Sequence, residues 1–134
     1  MNRQSKNAQR LAEALNGHPR LSRVIYPTLV TDPEQKRIFE KQCAFPGGIF
    51  SIEFKGGKAA AFEFLRRVRI ARNAVSLGGV ESLTCHPKST THSGMSEREL
   101  AESGVTDGLV RVSAGIEDWR DLLADFEQAL AAVG

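Results

Sequence analysis

Residues 108–130 read GLVRVSAGIEDWRDLLADFEQAL, and two periods follow one another within that run. Val110 and Val112 fall on one face of the first part and Leu109, Arg111 and Ser113 on the other, the alternation of a strand. Trp119, Leu122, Leu123, Phe126 and Leu130 then form the apolar stripe of a helix, with Glu117, Asp118 and Asp121 favouring its positive N-terminal end. A strand joined to an amphipathic helix by a few residues is a unit of a layered α/β fold. Working outward, the same unit recurs. GIFSIEFKGG, residues 48–57, alternates Phe50, Ile52 and Phe54 against Ser51 and Glu53, and KAAAFEFLRRV places Ala61, Leu65 and Val68 on one helical stripe.

The remaining elements are shorter. A helix from Asn7 carries Ala8, Leu11 and Leu15 at helical spacing and stops at Asn16, Gly17 and Pro19. LSRVIY, from Leu21 to Tyr26, reads as a strand. Asp32, Pro33 and Gln35 supply the N-cap, the preset first turn and the capping-box partner of a helix running to about Gln42, closed by Pro46, Gly47 and Gly48. ESLTC reads as a further strand, and Ser96 with Glu99 opens a short helix that Gly104 ends. The expected class is therefore α/β (an α+β sandwich): a small open sheet of four or five strands with helices packed on one side, in a single domain over residues 1–134.

Composition narrows the function classes. With 134 residues the chain can bury a substantial core, and its 41% hydrophobic and 25% charged residues with a net charge of +2 are ordinary for a globular domain. Neither disorder nor nucleic-acid binding is favoured. Arg66, Arg67, Arg69 and Arg72 lack interleaved aromatic residues and read as a solvated face. Cys43 and Cys85 have no CxxC context, so a reduced, cytoplasmic setting is expected. No membrane span or signal peptide is legible.

Chemistry concentrates in SLGGVESLTCHPKSTTH, residues 76–92. Its adjacent glycines lack the lysine and hydroxyl of a phosphate loop. Cys85, His86 and His92 lack enough partners for a metal, and none is expected. Ser76 and Cys85 sit in no nucleophile elbow, so a tight turn held by small residues is the simpler reading. Arg111 is the second anomaly, a cation in mid-strand with no acid two residues away on its face. It meets either water on an exposed sheet face or a ligand carboxylate, whose two oxygens a planar guanidinium can bind together. Ser76 at a neighbouring strand end could orient that ligand, with Gly78 and Gly79 letting the main chain turn and approach.

These two stretches, with the upstream NAQRLAEALNGHPRLSRVIYP, resemble the C-terminal region of the pyridoxal-phosphate-dependent Cys/Met metabolism enzymes across almost the whole chain. The resemblance implies an aminotransferase fold-type-I C-terminal domain, with the cofactor-binding domain and its Schiff-base lysine upstream and Met1 an artificial start. It implies that Arg111 binds the substrate α-carboxylate, that Ser76 assists, and that Leu77 contributes through its backbone. Gly78, His86, Thr91 and His92 are implied to support the pocket. No catalytic residue is expected in this stretch, and no lysine in it matches a Schiff-base motif. The implied whole is a cytoplasmic homotetramer that uses pyridoxal 5'-phosphate on a small amino-acid substrate. γ-Replacement is the first reading and γ-elimination the second, with this piece inactive alone. A free-standing carboxylate-binding module and a purely structural fragment are the readings from other classes.

Overall fold

A computed structural model describes residues 1–133. Five helices, α1 (Asn2–Leu15), α2 (Pro33–Gln42), α3 (Gly57–Arg67), α4 (Glu97–Ser103) and α5 (Trp119–Ala132), interleave with five strands. The strands are β1 (Leu21–Ile25), β2 (Ile49–Phe54), β3 (Arg72–Asn73), β4 (Leu83–Cys85) and β5 (Leu109–Ser113). They form one sheet in the order β1-β2-β5-β4-β3, antiparallel except for the parallel β3–β4 pair. The open α/β sheet expected from the sequence is what forms. β3 is the one strand the sequence did not announce, since two residues are too few to show a period.

The two strand-to-helix units lie at the centre. Phe50, Ile52 and Phe54 of β2 and Val110 and Val112 of β5 point into one core with Ala8, Leu11 and Leu15 of α1, Ala61 and Phe64 of α3, and Leu122, Phe126 and Leu130 of α5. Phe64 stands 5.2 Å from the Phe54 ring and 5.7 Å from that of Phe126, aromatic contacts worth about 1 kcal/mol each beyond their burial. α2 stays outside this layer. None of its residues is buried, and a cleft of about 460 Å³ lies between its Ile38 and Phe39 and the β1–β2 residues Ile25 and Ile49.

Polar side chains turned inward complete the frame, and periodicity could not assign them. α1 begins five residues earlier than its apolar spacing indicates. Its buried Asn7 donates to the carbonyls of Gly115 and Glu117 (2.9 and 2.8 Å), while Ser5 Oγ accepts from Gly47 N–H. Glu117 does not serve the α5 N-terminus. Asp118 is the N-cap there, and Glu117 instead accepts from Ser82 N–H and Oγ–H (3.0 and 2.8 Å). Asp125, buried in α5, accepts from the backbone N–H groups of Arg69, Ile70 and Ala71, fixing the link between α3 and β3. Arg66 and Arg67 pair with Glu63 on the solvated side of α3.

Candidate functional site

Arg111 occupies the middle of β5, the central strand, and is the only residue of that strand that is not buried. It lies directly opposite Ser51 of β2 and Cys85 of β4, and Ile25 of β1 completes the row. This row belongs to the face away from the core helices, because Val110 and Val112 on either side point into the core. The guanidinium donates from Nη2 to the carbonyl oxygens of Val75 (2.7 Å) and Ser76 (3.4 Å). Among the described residues it forms no ion pair. A cation tied only to carbonyl dipoles keeps its formal charge available to an anion.

The partner of Arg111 is the turn formed by SLGG. Gly78 has φ +80°, a left-handed conformation that an L side chain rarely adopts, whereas Gly79 does not. The turn is tied on three sides. Gly78 N–H donates to Ser113 Oγ at 3.0 Å, Gln4 Nε2 reaches the carbonyls of Gly78 (3.3 Å) and Gly79 (3.1 Å), and Arg111 holds Val75 and Ser76. Ser76 and Leu77 are exposed. A mostly apolar cleft of about 270 Å³ runs beside the turn between Ile49, Leu77, Gly78 and Ser113. The structure thus brings Arg111, Ser76, Leu77 and Gly78 together. Ser113 and Gln4 were missed as partners of this turn. Ser113 shares the Arg111 face in the sequence pattern, but the bond to a residue 35 positions earlier leaves no local trace.

The second group of candidate residues lies elsewhere. His86 is buried against the helix layer, its ring 4.9 Å from Phe62 in an edge-on contact. Its Nε2–H donates to the carbonyl of Asp107 (2.6 Å), which leaves Nδ1 to accept from the Ser89 hydroxyl (2.8 Å). Thr91 and His92 bond to each other at the exposed end of the same loop (2.8 Å), and His92 N–H donates to the Pro87 carbonyl. Both nitrogens of His86 are therefore engaged in holding residues 86–92 against the strand entry at Asp107.

Residues 1–131 match the family described as Cys/Met metabolism PLP-dependent enzyme. The chain belongs to this family. An L-methionine gamma-lyase of Pseudomonas deceptionensis is 44% identical over 133 residues, 99% of this chain and 33% of that protein. A cystathionine gamma-synthase of Mycobacterium bovis is 44% identical over 130 residues, 97% of this chain and 32% of that protein. The crystal structure of metB from Corynebacterium glutamicum superposes with a TM-score of 0.91 at 41% identity, covering 100% of this chain and 34% of that one. This chain therefore spans about a third of the length of the relatives it matches.

The family's cofactor is pyridoxal phosphate, and the lysines here do not fit the role of holding it. Lys88 pairs with Asp107 (2.8 Å) and Glu97 (3.3 Å), and its hydrogen bond to Asp107 holds its ammonium above the usual range, the reverse of what imine formation requires. Lys58 lies 5.3 Å over the Phe62 ring, and Lys6, Lys36, Lys41 and Lys55 are exposed. Among the described residues no group of three metal-ligating side chains occurs.

Proposed function

We propose that residues 1–134 form the substrate-carboxylate domain of a pyridoxal-phosphate-dependent enzyme of sulfur amino-acid metabolism. Arg111 carries the reading: a guanidinium in mid-sheet, on the face opposite the core helices, with carbonyl partners and no acid among the described residues. Its fork receives the α-carboxylate of an amino acid, and Ser76 and the Leu77 backbone at the adjoining turn complete the contact. Anchoring the carboxylate orients the amino acid, which decides which of its Cα bonds can react. The cofactor, when bound by the rest of the protein, supplies the electron sink for carbanion chemistry. His86, Thr91 and His92 support the pocket by holding the loop beyond β4. This domain is catalytically silent alone, and the complete protein is a cytoplasmic homotetramer acting on a small amino acid.

Each charge-assisted hydrogen bond contributes about 1.5–3 kcal/mol. Arg111→Lys, which keeps the charge and loses the fork, is expected to raise KM for the amino acid in the complete holoenzyme by about tenfold or more. An unchanged KM overturns the assignment. γ-Replacement is the first reading, supported by the cystathionine gamma-synthase of M. bovis, 44% identical to this chain. γ-Elimination is the second, supported by L-methionine gamma-lyases 44 and 45% identical to this chain. Cystathionine formation from an O-acylhomoserine with cysteine selects the first, and thiol and ammonia release from methionine selects the second. A free-standing module would instead bind homoserine esters or cystathionine as the isolated 134-residue chain, which calorimetry would read directly.

A further inference from the structure

We infer that Ser113 and Gln4 are positioning residues for the carboxylate site, acting through the turn at residues 75–79; this rests on the carboxylate reading of Arg111. The orientation of a guanidinium is set by what its remaining N–H groups hold, and here these are the carbonyls of Val75 and Ser76. Those carbonyls belong to a turn that would swing freely on Gly78 if nothing held it. Among the described residues, the one hydrogen bond to the turn that comes from a buried side chain is made by Ser113, 2% exposed, whose Oγ accepts from Gly78 N–H at 3.0 Å.

The register makes this arrangement effective. Ser113 stands two residues beyond Arg111 on the same strand and the same face, so β5 carries both the anion-binding group and the clamp on the loop that aims it. Gln4 holds the turn from the opposite side, through the carbonyls of Gly78 and Gly79. The backbone of the turn is thereby clamped at an N–H and at two C=O groups. Ser76, held by Arg111 through its carbonyl, lies two residues before the clamped Gly78 and is exposed. Removing the Ser113 hydroxyl deprives Gly78 N–H of its partner and loosens the turn, leaving it to Gln4 and Arg111, so that the Arg111 fork is less firmly aimed.

The test separates aim from stability. Binding of glycine and of glycinamide to the complete holoenzyme is measured by calorimetry for the wild type, Arg111→Lys, Ser113→Ala, Ser113→Thr and Gln4→Ala. The acid differs from the amide only in its carboxylate, so the ratio of their affinities reads the fork. Ser113→Ala is expected to lower that ratio about fivefold, with the melting temperature little changed, and Ser113→Thr, which retains the hydroxyl, is expected to recover it. Gln4→Ala works at an exposed or half-buried contact, folds irrespective of the Ser113 site, and is expected to lower the ratio by a smaller factor. If Arg111→Lys leaves the ratio unchanged, the carboxylate reading itself falls. If Arg111→Lys lowers it while Ser113→Ala and Gln4→Ala leave it unchanged, the carboxylate reading stands and the positioning role is overturned. Equal weakening of acid and amide in Ser113→Ala also overturns it, since that is the mark of general loosening.

Discussion

Replacing Asp125 by Ala removes the acceptor of three backbone amides at once. Its Oδ1 takes Arg69 N–H at 2.8 Å, and its Oδ2 takes Ile70 N–H at 2.8 Å and Ala71 N–H at 3.4 Å. Hydrogen bonds to a charged group are worth about 1.5–3 kcal/mol each, and the two short ones set the scale. Water can reach the amides of Arg69 and Ile70, because those residues are exposed, whereas Ala71 is 3% exposed and its N–H would be stranded. Partial rehydration brings the expected loss to about 3 kcal/mol, a large share of the stability of an ordinary domain. For a domain of this size that corresponds to a fall in melting temperature of about 10 °C. Asp125→Asn keeps one acceptor oxygen and loses the charge, so its loss is expected to be about half as large. Thermal melting reads the global effect, and amide exchange over residues 68–72 reads the local one. Unchanged protection at Ala71 in Asp125→Ala, or a melting temperature within about 2 °C of the wild type, would refute the reasoning.

Two further outcomes are expected. Gly115→Ala places a methyl group about 2.6 Å from the Glu81 carbonyl carbon and Glu117 Oε1. The backbone there must shift, at a cost of about 1–3 kcal/mol, which a melting curve or denaturant titration will show. Asp118 is held at a pKa of about 2 by its hydrogen bonds to Arg120, below the ordinary 3.8. The folded-state value is depressed, so the stabilisation is present above about pH 4 and is lost as pH falls through about 2. In an NMR titration Arg120→Ala should return the Asp118 midpoint towards its ordinary value.

The elements with the clearest periods were legible in the sequence. In β2 and β5 a buried face alternates with a polar one, and in α3 and α5 the apolar stripe recurs every three or four residues. The capping box of Ser96 and Glu99 and the left-handed Gly104 (φ 76°) stand where local chemistry places them. Arg111 also declared itself, because a cation among strand valines breaks the pattern. Its partners did not. Val75 and Ser76 meet it 36 and 35 residues away through backbone carbonyls, and every residue type has one of those. Glu117 read as favouring a helix N-terminus, and nothing local marked Asn7 or Asp125, yet each reaches across the fold to backbone or side-chain groups. His86 sits in the same short stretch as Ser76, but strand β4 separates them and sends His86 to the helix layer.

The sequence by itself determined the layer composition, the face each central strand buries and the anomaly at Arg111, because these depend on side-chain type and on spacing within one element. Tertiary structure decided the strand order, the outward turn of α2, and which loop meets the guanidinium. Those depend on hydrogen bonds between residues far apart in the chain, whose partners are often main-chain atoms that carry no sequence signature. The proposed carboxylate site joins the two: a residue visible in the sequence, held by a turn that only the folded sheet brings to it.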